Sequence, residues 1–339
     1  MARMHRLFIE PPIFNSSSLW ASSYMQLEAL YRSDYTGAVT TRTATLLGFV
    51  EDATHKHALM QRNTSINSYG YSPHPLSQYL TWIRALFACS ERKPNKPFII
   101  SIAPASVLEL NKMLETIQKL RVELDDTVEP ELSKIGVELN TSCPNISGHP
   151  PPAYDPKALS PLLTAFHAHF TRDPTLTIGL KLPPYVHAGQ FKEVVNLLAS
   201  ISTEDKNGNK TNCIAFLSCT NTLGSSLLFQ DQISSSDVEC TPSTGLSEYA
   251  VPTVTGGLAG EPIHALSLGN VYSFRKLLSQ HPDPSLRRIS IVGVGGVTSK
   301  EAVARMLHVG ACAVACATAL GTHGVDVFKE LNGSSSSES

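Results

Sequence analysis

Residues 135–145 read Ile-Gly-Val-Glu-Leu-Asn-Thr-Ser-Cys-Pro-Asn. An apolar run of strand length passes directly into polar residues and a proline. A strand buried on both faces and ending in a chemically equipped loop has this pattern. Similar runs recur at 98–102 (Phe-Ile-Ile-Ser-Ile), 177–181 (Thr-Ile-Gly-Leu-Lys), 214–218, 289–292 and 311–316. Between them, 108–124, 156–170, 190–200, 266–278 and 299–308 carry apolar residues at helical spacing. Continuous apolar strands alternating with amphipathic helices predict a parallel sheet covered by helices. Two early strands at 38–41 and 64–68 bring the count to that of a (β/α)8 barrel. The expectation is therefore an α/β TIM barrel as a single domain over 1–331, with a disordered Ser-rich tail at 332–339. A doubly wound open sheet is the structural rival. It is disfavoured because no G-x-G-x-x-G follows an N-terminal strand.

Composition narrows the class. The chain has 339 residues, 42% hydrophobic and 17% charged, with a formal net charge of −2. That is enough apolar material for one large core. The charge balance argues against a nucleic-acid surface. No apolar run approaches the roughly 20 residues of a membrane span, and no signal peptide is legible near the N-terminus. The seven cysteines (89, 143, 213, 219, 240, 312 and 316) lack the paired short spacing of a zinc site. They point to a reduced, cytoplasmic protein without a metal. Polar inserts at 203–212 and 229–255 read as surface loops.

Polar residues gather where strands should end, the face on which such barrels build their sites. Asn140, Cys143 and Asn145 follow one strand, with Pro144 stiffening the turn. An arbitrary cysteine is usually a small buried hydrophobe. A thiol in a polar loop after a strand can instead serve as a base when its surroundings tune it. Lys181 ends a buried strand, where it is either a snorkelling lysine or a cation beside an electron-accepting ring or a phosphate. Asn221 and Thr222 could bond a small polar substrate. Glycine clusters at 256–260 and 293–296 each precede a helix, and Ala317-Thr318 follow. Glycine backbones and helix N-termini accommodate phosphate, and late loops of a barrel are the usual place for it. A phosphorylated cofactor such as FMN fits.

Together these motifs resemble the dihydroorotate dehydrogenases of the cytosolic, fumarate-using class, over nearly the whole chain from Asn15 to about Leu331. The most specific matches are Ser65-Ile-Asn-Ser-Tyr-Gly70, Glu138-Leu-Asn-Thr-Ser-Cys-Pro-Asn145 and Gly179-Leu-Lys-Leu-Pro-Pro-Tyr185. Thr220-Asn-Thr-Leu-Gly224 and the two glycine clusters follow in the family's order. The resemblance implies that Cys143 takes a proton from C5 of dihydroorotate while hydride leaves C6 for the flavin. It implies that Arg42, Asn67, Tyr69, Gly70, Tyr71, Asn140, Asn145, Asn221 and Thr222 hold the substrate. It assigns FMN to Ser16, Ser17, Arg42, Thr43, Asn140, Lys181, Gly257, Gly295, Gly296, Ala317 and Thr318. It further implies fumarate as electron acceptor, a role in pyrimidine synthesis and a homodimer.

The chain departs from the family's pattern in four places. Thr41-Arg42-Thr43 replaces Thr-Lys-Ser, and arginine is larger and planar. Tyr69-Gly-Tyr-Ser72 replaces Met-Gly-Leu-Pro. Asn15-Ser-Ser-Ser18 loses a glycine, and 229–260 contains no lysine. Two alternatives therefore stay open: the same chemistry on a related cyclic amide or enoate, and a non-catalytic flavin-binding barrel.

Overall fold

The computed structural model describes residues 1–89, 96–127, 132–143, 145, 151–204, 207–233 and 248–333. Pro144, Cys240 and the tail from 334 onward lie outside them. Eight parallel strands form one sheet in chain order. They are Ile13–Asn15, Val39–Thr40, Phe98–Ile102, Ile135–Asn140, Thr177–Leu182, Ile214–Cys219, Ser290–Val294 and Ala313–Cys316. Helices Tyr24–Arg32, Leu76–Ala88, Val107–Glu123, Pro156–Arg172, Ala188–Ser200, His264–Ser279 and Lys300–His308 follow successive strands. This is the (β/α)8 barrel. Local chemistry starts several helices: Ser106 accepts from Glu109 N–H, Asp155 from Lys157 N–H and Ser299 from Ala302 N–H, satisfying donors that the helix leaves orphaned.

The barrel closes between its first and second strands through a side chain. Asn15 Nδ2 donates to Thr40 O at 2.6 Å, and Thr40 N–H donates to Asn15 Oδ1 at 2.9 Å. Gly37 N–H adds a bond to Ile13 O at 2.9 Å. The buried carboxamide carries both a donor and an acceptor, so it stands in for a neighbouring peptide group.

One expected barrel strand belongs elsewhere. Thr64–Asn67 pairs antiparallel with His57–Met60 and with Thr255–Gly260, which also pairs with Leu223–Leu227. The first barrel strand is Ile13–Asn15 instead. Its three residues are too few for periodicity to reveal. The glycine cluster 256–260, which precedes a helix, is likewise a strand of this second sheet. Of the two inserts, 203–212 carries a short exposed hairpin, Thr203–Glu204 with Lys210–Thr211. Residues 234–247 of the other lie outside the described set.

One apolar cluster lies between strands and helices. A second joins Phe14, Ile99, Phe216 and Val292 to Met4, Leu7 and Ile9 of the N-terminal hairpin. Gly179 makes room inside: a Cβ there would fall 2.2 Å from the Phe216 ring. With one end filled by apolar packing, the strand C-termini are left to form the site. Among the described residues no helix is long and apolar enough to cross a membrane.

Candidate active site

The C-terminal strand ends and the second sheet enclose a cavity of about 1050 Å³, counted to its open mouth. It brings together almost every residue singled out in the sequence. Ser16, Ser17, Arg42, Thr43, Asn67, Tyr69, Gly70, Asn140, Cys143, Asn145, Lys181, Asn221, Thr222, Gly295, Gly296, Ala317 and Thr318 all line it. Two expected residues do not. Tyr71 turns its ring against Phe49, with centroids 5.8 Å apart. Gly257 faces its sheet neighbour, its carbonyl accepting from Asn67 Nδ2 at 3.3 Å.

Four carboxamides frame the middle of the cavity. Asn145 Nδ2 donates to Asn67 Oδ1 at 3.0 Å, to Asn67 O at 3.1 Å and to Tyr69 O at 2.8 Å. Asn140 Oδ1 accepts from Asn221 Nδ2 at 3.0 Å, while Asn140 Nδ2 donates to Thr43 Oγ1 at 3.0 Å. Asn221 is fixed further by Ser142, to whose carbonyl it donates at 3.1 Å. These bonds orient groups that both donate and accept without net charge. Such a wall suits the alternating C=O and N–H edge of a cyclic amide or imide.

Cys143 stands in this frame, its Sγ 3.9 Å from Tyr69 O. Burial pushes its thiol up from the ordinary range, opposed by the Asn145 backbone N–H and by the charges of Lys181 and Arg42.

Lys181 lies opposite Asn140 across one strand pair and opposite Ser218 across the other. It is buried rather than snorkelling, and its Nζ donates to Ser16 Oγ and to Ser17 O, each at 3.1 Å. Glu138 shares its interior setting and accepts from Ser218 Oγ at 2.6 Å. Burial pushes Glu138 up and Lys181 down, and each restrains the other's shift. Nothing in the residues around Glu138 signals a role for it. Its character as a buried counter-charge depends on a neighbour 43 residues away.

At one end of the cavity, Gly295 and Gly296 have φ of +126° and +63°. A Cβ would fall 2.1 Å from Ser267 Oγ at the first and 2.5 Å from His264 Cβ at the second. His264 Nδ1 also bonds Gly295 O at 2.9 Å. The resulting loop exposes backbone to the cavity and could hold a phosphate. Ser18 Oγ, on the same cavity wall, is buried with no hydrogen-bond partner among the described residues. With Lys181 and the glycine loop, it leaves donors suited to a polar, phosphorylated cofactor.

An aromatic flank was not anticipated. Trp20 and His57 line the cavity beside Tyr69, with ring centroids 6.0 Å (Trp20–His57) and 5.9 Å (His57–Tyr69) apart. Trp20 is one of two tryptophans and closely follows Asn15-Ser-Ser-Ser18, which is the signal that could have flagged it. His57 carries no such signal. Among the described residues no group of three or more His, Cys, Asp or Glu is placed to hold a metal ion.

Comparison with known proteins adds a second line of observation. A family model described as dihydroorotate dehydrogenase matches residues 4–334. A protein of Streptococcus pneumoniae named probable dihydroorotate dehydrogenase A (fumarate) is 28% identical over 94% of this chain and 86% of its own length. One from Kluyveromyces lactis named dihydroorotate dehydrogenase (fumarate) is 28% identical over 95% of this chain and 87% of its own length.

Proposed function

The chain belongs to the dihydroorotate dehydrogenase family, and from that premise we propose that it oxidises dihydroorotate to orotate, with fumarate as the electron acceptor, in pyrimidine synthesis. The observation that carries this reading is Cys143 Sγ set among Asn67, Asn140, Asn145 and Asn221 in one cavity. The net reaction is dihydroorotate plus fumarate giving orotate plus succinate. The carboxamides bind and orient the ring, and Cys143 Sγ removes the C5 proton. FMN, when bound, accepts the hydride that leaves C6. Ser16, Ser17, Thr43, Lys181, Gly295, Gly296, Ala317 and Thr318 would hold it. Fumarate would take the hydride back from the reduced cofactor at one carbon and the Cys143 proton at the other, which yields succinate and restores the base. A single barrel domain over 1–331, a homodimer and a cytoplasmic setting complete the reading.

The purified protein should be yellow, and anaerobic dihydroorotate should bleach it. A colourless protein that takes up no FMN would refute the proposal. A second reading rests on Arg42, whose cation is already paired with Glu51: the same chemistry on a related cyclic amide or enoate. Flavin that stays oxidised under excess dihydroorotate would favour it. A barrel kept only for binding has no need of a thiol in that frame.

A further inference from the structure

Arg42 and Lys181 are the lysine and arginine side chains among the described residues lining the cavity. Lys181 is held against Ser16 and Ser17. Arg42 is the cation that stands beside Tyr69, its guanidinium carbon 5.1 Å from the ring centroid. That tyrosine's carbonyl is bonded by Asn145, so Arg42 borders the carboxamide frame.

The guanidinium is already engaged. Its Nη2 donates to Glu51 Oε1 at 2.5 Å and to Tyr71 O at 2.9 Å, and Nη1 reaches Ser22 Oγ at 3.4 Å. Glu51 is not among the described residues that line the cavity, and its side chain is 27% exposed. Nearby aromatic packing holds this region. Phe49 packs edge-on against Tyr71 and fills the space where a Cβ on Gly70 would fall, 2.5 Å from its ring.

Building on the carboxylate substrate of the reading above, we propose that Glu51 is a positioning residue that sets the site's selectivity for charge, by competing with the substrate's carboxylate for the Arg42 guanidinium. A carboxylate arriving at Arg42 must share the cation with a resident one. An uncharged group at the same place meets no such competition. Arginine can face two carboxylates at once because its planar fork presents five N–H groups. Two carboxylates on one guanidinium would lie roughly 5–7 Å apart, so at an effective dielectric of about 40, between the protein-surface value and water, deleting the resident charge should tighten an anion by about tenfold.

The test uses FMN-loaded enzyme and the flavin absorbance change on titration with orotate and with its uncharged carboxamide. Glu51→Gln should tighten orotate by about tenfold and change the carboxamide by less than about twofold. Glu51→Asp, which keeps the charge, should return the ratio of the two affinities to near the wild-type value. A merely structural Glu51 would shift both ligands together, leaving the ratio unchanged; that result overturns the proposal even if Glu51→Gln is less stable. If orotate perturbs the flavin in none of the proteins, the dihydroorotate reading fails, and the carboxylate competition with it. A ratio that moves in favour of the carboxamide also overturns it.

Discussion

Raising the pH should accelerate flavin reduction by dihydroorotate well beyond neutrality, and the slope can be worked from Cys143. An ordinary thiol titrates at 9.0, so about 1% of it is thiolate at pH 7. Burial raises Cys143 above that value, only partly offset by Lys181, Arg42 and the Asn145 N–H. The working fraction at pH 7 is therefore smaller still. The sign follows directly: the base must be deprotonated, so a raised thiol withholds activity at low pH and releases it as pH climbs. Below its pKa the rate should rise about tenfold per pH unit, because each unit multiplies the thiolate population tenfold. Anaerobic stopped-flow at saturating dihydroorotate, followed through the loss of oxidised-flavin absorbance, measures it. Cys143→Ser should fall by about 10²–10⁴-fold at neutral pH, the usual contribution of a positioned base. A wild-type rate that is flat from pH 6 to 8, or a serine variant of equal rate, would refute the assignment of the base.

Other consequences follow from the same geometry. Lys181→Met removes the ammonium bonded to Ser16 and Ser17 and the nearby cation that restrains Glu138, and should cost about 1–3 kcal/mol in chemical unfolding; adding Glu138→Gln should recover part of that loss. Asn15→Ala removes both side-chain bonds to Thr40 at the barrel seam. It should cost about 2–4 kcal/mol, since Thr40 N–H and C=O are left unsatisfied, and a midpoint equal to wild type would show that the seam closes without it. Gly296→Ala meets both a φ of +63° and a Cβ contact of 2.5 Å to His264. FMN release, followed by the rise of free-flavin fluorescence, should be faster in that variant; unchanged retention would place the phosphate elsewhere.

How much of this was legible in the chain differs from element to element. The long barrel strands could be read because each is buried on both faces and so is apolar throughout. Ile13–Asn15 could not, and Thr64–Asn67 reads as a barrel strand because a short antiparallel strand has the same residue types as a short parallel one. Cys143, its asparagines and Lys181 were legible because they sit where apolar runs break into polar loops. Tyr71 and Gly257 were carried along by motif, yet their side-chain direction and strand partner turn them from the cavity. Sequence alone determined the alternation, and hence the layers, because burial acts on consecutive residues. The tertiary structure alone decided the closure through Asn15, the facing of Glu138 and Lys181, and the pairing of Arg42 with Glu51. Each depends on distance and direction between segments that no local period links, and electrostatics and hydrogen bonding respond to those rather than to sequence spacing.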